Sequence, residues 1–300
     1  MRKVIGIGET ILDIIFKNEQ PTAAVPGGST FNGIISLGRL GLPVTMITET
    51  GNDRVGQTIK QFMADNGIDN SHVCMYEDGR TAISLAYLNE RNDAEYSFYK
   101  DYPNARLDVK WPEVNKDDIV MMGSYFVLNP ALRPKVKEFL DYANSREALI
   151  YYDINFRSSH SSEAIKLYAT ILENFEYASI VRGSTEDFYN MFNLTSPEKV
   201  YKQEVSFYCK QMLCTDADGD ISLFSPLVTK KYKVNKIETV STIGAGDNFN
   251  AGIIFGLMTE GIRREDIASI TEEQWNRIIQ HGQAFAAEVC KSLNNSISKD

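Results

Sequence analysis

The stretch STIGAGDNFNAG, residues 241–252, contains the turn that is most informative about the fold. Gly244, Ala245 and Gly246 stand directly before a run of apolar residues with helical spacing that includes Phe249. The first backbone N–H groups of a helix have no partner within the helix, and the helix dipole makes this end positive. The stretch therefore predicts a helix N-terminus that binds an anion such as a phosphate group.

Asp247 follows this turn, and two interpretations of it are open. An acidic residue in the first turn of a helix interacts favourably with the helix dipole. A carboxylate beside a bound phosphoryl group also accepts a proton from an attacking hydroxyl. Because Gly244 and Gly246 let a ligand approach the backbone closely, the second interpretation is favoured and indicates phosphoryl transfer.

A second glycine-rich segment, PGGSTFNG, begins at Pro26. Gly27 and Gly28 precede another helical pattern, and Asn32 lies one turn into it, so that an uncharged polyol can contact both backbone and amide. A glycine-capped helix without a ligand is the alternative. Asp13 lies just beyond the first predicted strand, where open α/β sheets bind ligands, and its carboxylate can accept hydrogen bonds from sugar hydroxyls.

Short apolar runs alternate with helical patterns along the chain. This alternation predicts an α/β fold, a doubly wound and mostly parallel sheet with helices on both faces, in one domain spanning residues 1–300. Gly67 is predicted to follow the end of a helix. The predicted strands cover residues 4–7, 44–48, 119–122, 148–152 and 179–181.

One region departs from this rhythm. Residues 82–88 and 95–100 are rich in β-forming side chains, and the polar stretch 89–93 between them predicts a hairpin. A two-stranded hairpin is marginally stable alone, so we expect a small β lid, built from about residues 14–26 and 82–106, that leans on another sheet. Its aromatic strand also predicts a homodimer formed through the lid.

Composition excludes several classes of function. The formal net charge of −9 disfavours nucleic acid or an anionic membrane as a partner. No apolar run reaches the roughly 20 residues that a membrane-spanning helix needs. The four cysteines form no CxxC pair and the N-terminal run has no cleavage signal, which predicts a reducing, cytoplasmic location.

The segments 26–57 and 241–252 together resemble the two signature motifs of the ribokinase-like sugar kinases, also called the phosphofructokinase B family. The resemblance implies a doubly wound sheet with a β lid over the sugar. It also implies that Asp247 is the catalytic base and that Gly244, Ala245 and Gly246 form the anion hole.

Two shorter segments are similar to fructokinases in particular. DINFR, residues 153–157, looks like the DPNxR segment of fructokinases and also of 2-keto-3-deoxygluconate kinases, with Ile154 in the place of the proline. This similarity implies that Asn155 lies near the nucleotide phosphates and Arg157 near the sugar. The lid segment AEYSFYKDYPNA implies that Tyr99 contacts the sugar. Lys100 stands where many relatives carry arginine. Because lysine offers no bidentate fork for a carboxylate, an acid sugar is disfavoured.

Three positions depart from the family pattern. The NxxE motif is read as residues 183–186, so that Glu186 is retained for organising Mg²⁺ while the asparagine is absent. The nucleotide segment, residues 215–220, keeps Thr215 and Gly219 but gains aspartates, which predicts weaker ATP binding. Ser241 replaces a common aspartate, which makes activation by a monovalent cation such as potassium doubtful.

The resemblance implies an ATP- and Mg²⁺-dependent sugar kinase that phosphorylates a primary hydroxyl of a ketose, with fructose as the expected acceptor. Asp13, Gly27, Gly28 and Asn32 are its expected sugar-binding residues. The alternatives are ribokinase activity, 2-keto-3-deoxygluconate kinase activity, and a catalytically weak relative that binds sugar as a sensor or regulatory subunit. The intact GAGD turn argues against the last of these.

Overall fold

The computed structural model of the chain describes residues 2–90, 94–216, 219–234, 237–292 and 294–299. The strands that it contains form two separate sheets. In chain order they are β1 (Val4–Ile7), β2 (Ile11–Lys17), β3 (Gln20–Gly27), β4 (Val44–Gly51), β5 (Ile68–Asp69), β6 (Val73–Tyr76), β7 (Arg80–Leu88), β8 (Ala94–Asp101), β9 (Ile119–Gly123), β10 (Leu149–Asp153), β11 (Ile180–Ser184), β12 (Met212–Thr215), β13 (Asp220–Phe224) and β14 (Thr229–Lys233).

The large sheet has the strand order β14-β13-β12-β11-β10-β9-β1-β4-β5, with β6 also paired to β4. Its strands from β12 to β5 are parallel, and β13 and β14 continue it as antiparallel strands. The chain builds the sheet outward in both directions from β1. The predicted doubly wound and mostly parallel sheet is therefore confirmed.

Helices cover both faces of this sheet. They are α1 (Ser29–Arg39), α2 (Arg54–Asp65), α3 (Arg133–Ser145), α4 (Ala164–Tyr177), α5 (Thr185–Phe192), α6 (Pro197–Val200), α7 (Ala245–Thr259) and α8 (Glu272–Val289). Helices α1, α2, α7 and α8 contribute to one buried cluster and α3, α4 and α5 to the other. No helix in the described ranges is long and apolar enough to cross a membrane.

Side-chain alternation along the central strands produces these two cores. In β9, Ile119 and Met121 belong to the cluster under α7, whereas Val120 and Met122 belong to the cluster under α3. Because successive side chains of a strand point to opposite faces, a strand that is covered on both sides is largely apolar, although β4 also buries Thr45, Thr48, Glu49 and Thr50. This explains why the five strands predicted from short apolar runs are all found.

The lid sheet has the order β3-β2-β7-β8. The predicted hairpin is confirmed, because β7 and β8 pair antiparallel, while β2 pairs antiparallel with β3 and parallel with β7. Residues 91–93 of the predicted polar connection lie outside the described ranges. These four strands begin and end a few residues away from the predicted lid boundaries, and residues 102–106 belong to no strand.

Strand and helix ends also differ slightly from the prediction. The strand predicted at residues 179–181 extends as β11 to Ser184, because its polar end continues the ladder with β12 as far as Thr215. The predicted glycine after α2 is confirmed, since Gly67 has φ 76° directly after the helix cap at Asn66.

Candidate active site

Helix α7 begins at the glycine-rich turn formed by residues 244–246. Gly244 caps it with φ 77°, a conformation that favours glycine, and a Cβ at this position would lie 2.8 Å from the backbone oxygen of Asn295. Asn248 fixes the turn further, since its Nδ2 donates to the carbonyls of Gly244 and Asn295, both at 2.8 Å. The predicted helix N-terminus is therefore held in place by residues 295–297, which pack between α1 and α7.

Asp247 lies in the first turn of α7, where Asn32 of α1 donates a hydrogen bond from Nδ2 to its Oδ2 at 2.8 Å. Burial raises the pKa of Asp247 to about 7, the hydrogen bond from Asn32 acts in the opposite direction, and the nearby charge of Asp153 raises it further. A carboxylate with this pKa is well matched to general base catalysis near neutral pH.

Asp13 occupies β2 of the lid sheet and is 9% exposed. Ser84 of β7 donates a hydrogen bond to its Oδ1, and a Cβ at Gly27 would lie 2.4 Å from its Oδ2. Burial raises the pKa of Asp13 to about 6, and the charge of Glu9 contributes in the same direction. Gly27 is thus required for the close approach of the Asp13 carboxylate.

The lid strand β8 presents alternating faces. Tyr96 interacts electrostatically with Asp13 and Asp247, so the face that carries it looks towards the two carboxylates. Burial, followed by these two charges, raises its pKa to about 12. Because side chains alternate along a strand, Tyr99 belongs to the opposite face, where it is 56% exposed. The structure therefore brings Tyr96, and not the predicted Tyr99, towards the site.

A buried ion pair lies beneath the start of α7. Arg182 of β11 donates from Nη1 to Asp153 of β10 at 2.9 Å and from Nη2 to Thr215 of β12 at 2.7 Å. A Cβ at Gly246 would lie 3.2 Å from Nη2 of Arg182, so this guanidinium adjoins the helix N-terminus. Thr215, predicted on the nucleotide side, is thereby linked to the predicted anion hole.

The remaining predicted residues are spread along the carboxyl ends of the strands. Asn155, with φ 39°, and the exposed Arg157 follow β10, and Arg157 is close enough to act on the charge of Asp247. Glu186 is exposed in the first turn of α5, whereas its neighbour Asp187 is buried and accepts hydrogen bonds from Ser184.

Gly219 lies in the turn between β12 and β13 with φ 116°. Its predicted neighbours Ala217 and Asp218 lie outside the described ranges. Among the described residues, no cluster of three or more His, Cys, Asp or Glu side chains is arranged to hold a metal ion.

Sequence reasoning missed several groups that complete the site. Ser84 and Arg182 carry no motif, and Tyr96 lies in the lid segment without a predicted role of its own. Each reaches the site through strand register rather than through spacing along the chain. Asp187 has a local signal, because Ser184 and Asp187 form a capping box at the start of α5. That signal places the buried carboxylate one residue beyond Glu186.

Comparison with known proteins is decisive on the family, because the sequence model of the pfkB family carbohydrate kinases matches residues 1–300. The chain belongs to this family. The kinase is 26% identical over 246 residues to the 5-dehydro-2-deoxygluconokinase of Geobacillus thermodenitrificans (strain NG80-2), covering 77% of the kinase and 72% of that protein. It is 23% identical over 291 residues to Fructokinase-1 of Oryza sativa subsp. japonica, covering 90% and 87%.

A solved structure gives the same fold for the kinase. The fructokinase of Vibrio cholerae O395, crystallised with fructose, ADP and calcium ion, superimposes with a TM-score of 0.83 at 19% identity and covers 98% of the kinase and 94% of that chain. The predicted ribokinase-like fold and the resemblance to carbohydrate kinases are therefore confirmed.

Proposed function

We propose that this carbohydrate kinase transfers the γ-phosphoryl group of ATP to a primary hydroxyl of a ketose, with fructose as the preferred acceptor. The observation that carries the proposal is the position of Asp247. Its carboxylate lies at the N-terminus of α7, is oriented by Asn32, and faces the same lid residue as Asp13. A hydroxyl held between the two carboxylates would lie beside the helix end that binds phosphate.

In the proposed reaction, Asp247 orients the sugar hydroxyl and accepts its proton while the oxygen attacks the γ-phosphorus. The bond between the γ-phosphorus and the bridging oxygen breaks at the same time, and ADP leaves with that oxygen. We assign the stabilisation of the charge that develops on the transferred group to the backbone amides of Gly244 and Gly246. The amide of Ala245, predicted to act with them, donates to the carbonyl of Thr242 at 3.2 Å and would have to leave that partner to take part. Gly28, Asn32 and Asp13 hold the sugar. Closure of the lid excludes water, which would otherwise compete as the acceptor.

The nucleotide would lie towards β12, where Thr215 is linked through Arg182 to the start of α7. We assign Thr215, Gly219 and Asn155 to its binding. Mg²⁺ is bound by one or two carboxylates together with substrate phosphates, and Glu186, exposed at the carboxyl end of β11, offers a carboxylate of this type. Ser241 is 3% exposed and its Oγ accepts a hydrogen bond from the amide of Ile243, so we expect little stimulation by potassium.

We also propose that the kinase is a cytoplasmic homodimer. Cys74, Cys209, Cys214 and Cys290 are free thiols, as a reducing compartment requires. The outward face of the lid sheet carries a group of apolar side chains beside the exposed Glu95, and this group includes the stacked pair Phe16 and Tyr87, whose ring centroids are 4.8 Å apart. Its other members are Leu12, Ile14, Leu85 and Tyr99. A second lid can cover this face.

A sugar acid is the second candidate acceptor. It is favoured by the similarity to a 5-dehydro-2-deoxygluconokinase and by the exposed cation of Arg157 near the site. Ribokinase activity is a further alternative within the same mechanism. The raised pKa of the Asp247 carboxylate argues against a protein that binds sugar without turnover, because such a protein needs no general base.

The test is an ATP-consumption screen of the native protein and the variant Asp247→Asn with fructose, ribose, glucose, 2-keto-3-deoxygluconate and nucleosides. We expect fructose to give the highest kcat/KM, and Asp247→Asn to reduce kcat by about 10²–10⁴-fold, the usual contribution of a positioned general base. Near-native turnover by the variant would exclude Asp247 as the base. ATP consumption with none of the sugars would contradict the proposed function.

A further inference from the structure

Lys100 lies at the end of the lid strand β8 and forms an ion pair with Glu9, which follows β1. The Lys100 Nζ to Glu9 Oε1 distance is 2.6 Å. The hydroxyl of Tyr102 donates a second hydrogen bond to the same Oε1 at 2.5 Å. Glu9 therefore joins the end of β8 to the segment that follows β1 of the large sheet.

This contact neutralises the positive charge of Lys100. The next cation along the chain, Arg106, is also neutralised, since its Nε donates to Glu49 at 2.6 Å and its guanidinium lies 3.8 Å from the Tyr102 ring centroid. Lys100, Glu9, Arg106 and Glu49 thus form a chain of alternating charges with no net charge. A carboxylate that approached Lys100 would also meet the carboxylate of Glu9.

The pair adjoins the proposed sugar site on the side of Asp13. The carbonyl of Glu9 is so close to Gly28 that a Cβ there would lie 2.2 Å from it, and the charge of Glu9 acts on Asp13. Lys100 shares the inward face of β8 with Tyr96, because the two residues are four apart on the strand. Glu9 and Lys100 therefore adjoin the end of the sugar that Asp13 holds.

Arg157 is a second cation near the site. It follows β10 and acts on the charges of Asp247 and Tyr96, so within the proposed function we assign it to the end of the acceptor at which the phosphoryl group arrives. Its charge is thus placed for phosphate, whereas the charge at the Asp13 end is already balanced by Glu9.

Resting on the proposed function, we infer that Glu9 is a specificity-determining residue that selects uncharged sugars against sugar acids. An uncharged hydroxyl can donate to the carboxylate of Glu9 and accept from Lys100. A substrate carboxylate can do only the second, and it is repelled by Glu9 at the same time. The lid contributes a positive charge at Lys100, and the ion pair with Glu9 balances it. The site is therefore suited to a neutral ketose.

The experiment measures binding by titration calorimetry, independently of turnover, for fructose and for 2-keto-3-deoxygluconate. The variants are Glu9→Gln, Lys100→Met and the double variant, with circular dichroism as the check of folding. Glu95→Gln is the matched control, because it removes a lid carboxylate from the outward face of β8, where Glu95 is exposed.

We expect the native protein to bind fructose at least tenfold more tightly than the acid. Glu9→Gln should tighten acid binding about tenfold, Glu95→Gln should leave it within twofold, and the double variant should lose the gain. Lys100→Met leaves the negative charge of Glu9 without its cationic partner and should weaken acid binding about tenfold. If Glu9→Gln does not fold, the binding measured for Lys100→Met tests the inference.

A native preference for the acid would overturn the inference, as would acid binding that is unchanged in Glu9→Gln or in Lys100→Met, or equally improved in Glu95→Gln. The inference and the proposed function fail separately. Selective binding of fructose without ATP consumption would contradict the kinase reaction alone, whereas turnover with equal affinity for both sugars would contradict the role of Glu9 alone. Absence of binding by either sugar would contradict both.

Discussion

Asp247 is expected to set the lower limit of the working pH range. Its pKa of about 7 results from burial, which the hydrogen bond from Asn32 only partly offsets. The carboxylate must be ionised to accept a proton from the sugar hydroxyl. We therefore predict that kcat/KM rises with pH up to about 7 and levels off above it, as measured at saturating MgATP.

Asn32→Ala provides the control for this prediction. It removes the hydrogen bond that favours the ionised form, so the midpoint of the rise should move to higher pH. A profile that is flat between about pH 5 and 8, or a midpoint unaffected by Asn32→Ala, would show that another group limits the reaction.

The same carboxylate affects stability with a defined sign. Because the native pKa of Asp247 is raised from 3.8 to about 7, the native state favours the protonated form, and stability is lost as pH rises through this interval. Asp247→Asn should therefore gain stability relative to the native protein between about pH 5 and 8. We expect a gain of about 1–2 kcal/mol in urea unfolding, less than the full linkage value because the side chain is half-buried.

An equal difference in the free energy of unfolding between Asp247→Asn and the native protein at about pH 5 and at about pH 8 would contradict the raised pKa of Asp247. The variant Asp65→Asn is a matched control, since Asp65 is exposed at the end of α2 and its replacement should change stability by less than about 0.5 kcal/mol.

Asp13 is expected to act on sugar binding more than on turnover. Asp13→Ala deletes the carboxylate that Ser84 orients, and a hydrogen bond to a charged group is worth about 1.5–3 kcal/mol. We predict that KM for the sugar rises about 10–100-fold while kcat falls less. Asp13→Asn keeps one acceptor oxygen, so its KM for the sugar should lie between those of the native protein and Asp13→Ala. An unchanged KM in Asp13→Ala would mean that the sugar binds elsewhere.

Individual site residues were predictable where the chain itself places them at a helix end. Asp247 and Asn32 follow glycine-rich turns, and the structure joins them by a hydrogen bond. Arg182 and Tyr96 were not predictable, because their position depends on which strands become neighbours and which face each side chain takes. The resemblance implies a sugar contact for Tyr99, whereas strand alternation puts Tyr99 and Tyr96 on opposite faces of β8, and a shift of one residue along a strand reverses the face.

At the scale of elements, the packing of α7 on α8 depends on small residues. A Cβ at Gly252 of α7 would lie 2.4 Å from the carbonyl oxygen of His281 and 2.6 Å from the Cα of Gly282 on α8. We predict that Gly252→Ala destabilises the protein by about 2 kcal/mol, because overpacking outweighs the better helix propensity of alanine. Urea unfolding followed by circular dichroism measures the effect.

Thr259→Ala, at an exposed position near the end of the same helix, is the matched control and should change stability by less than about 0.5 kcal/mol. A neutral or stabilising Gly252→Ala would mean that the two helices can separate without cost. Because α7 carries Asp247, activity should fall together with stability.

Five strands of the large sheet were predictable because each contains a short apolar run: β1, β4, β9, β10 and β11. The strands β5, β6 and β12 to β14 were not predicted. The ends of the five predicted strands were less predictable. Strand β11 continues through Arg182 and Gly183 to Ser184, polar or small residues that only the neighbouring β12 recruits into the ladder. The four-stranded lid was predictable as a hairpin, whereas the parallel pairing of β2 with β7 depends on contacts between distant parts of the chain.

At the scale of the whole molecule, the outward face of the lid sheet predicts a dimer. Phe16→Asp introduces a charge into the stacked pair with Tyr87, and a buried unpaired charge is strongly unfavourable. We expect light scattering to give twice the 33.8 kDa chain mass for the native protein and the single chain mass for Phe16→Asp.

Phe207→Asp is the control for this experiment, because Phe207 is 72% exposed and lies outside the lid sheet, so its variant should remain dimeric. A native protein that scatters as a single chain at all concentrations would rule out the dimer.

The hydrogen bond between Asn32 and Asp247 connects residues that are 215 positions apart, and the bond between Ser84 and Asp13 connects residues that are 71 apart. Contacts of such high sequence separation form late in folding, because a long loop must close before they contribute any stability. Helical circular dichroism should therefore recover well before activity when the denatured chain is refolded. Recovery of activity then shows that the long-range contacts of the fold have formed, whereas recovery of helical circular dichroism shows only that the local helices have formed.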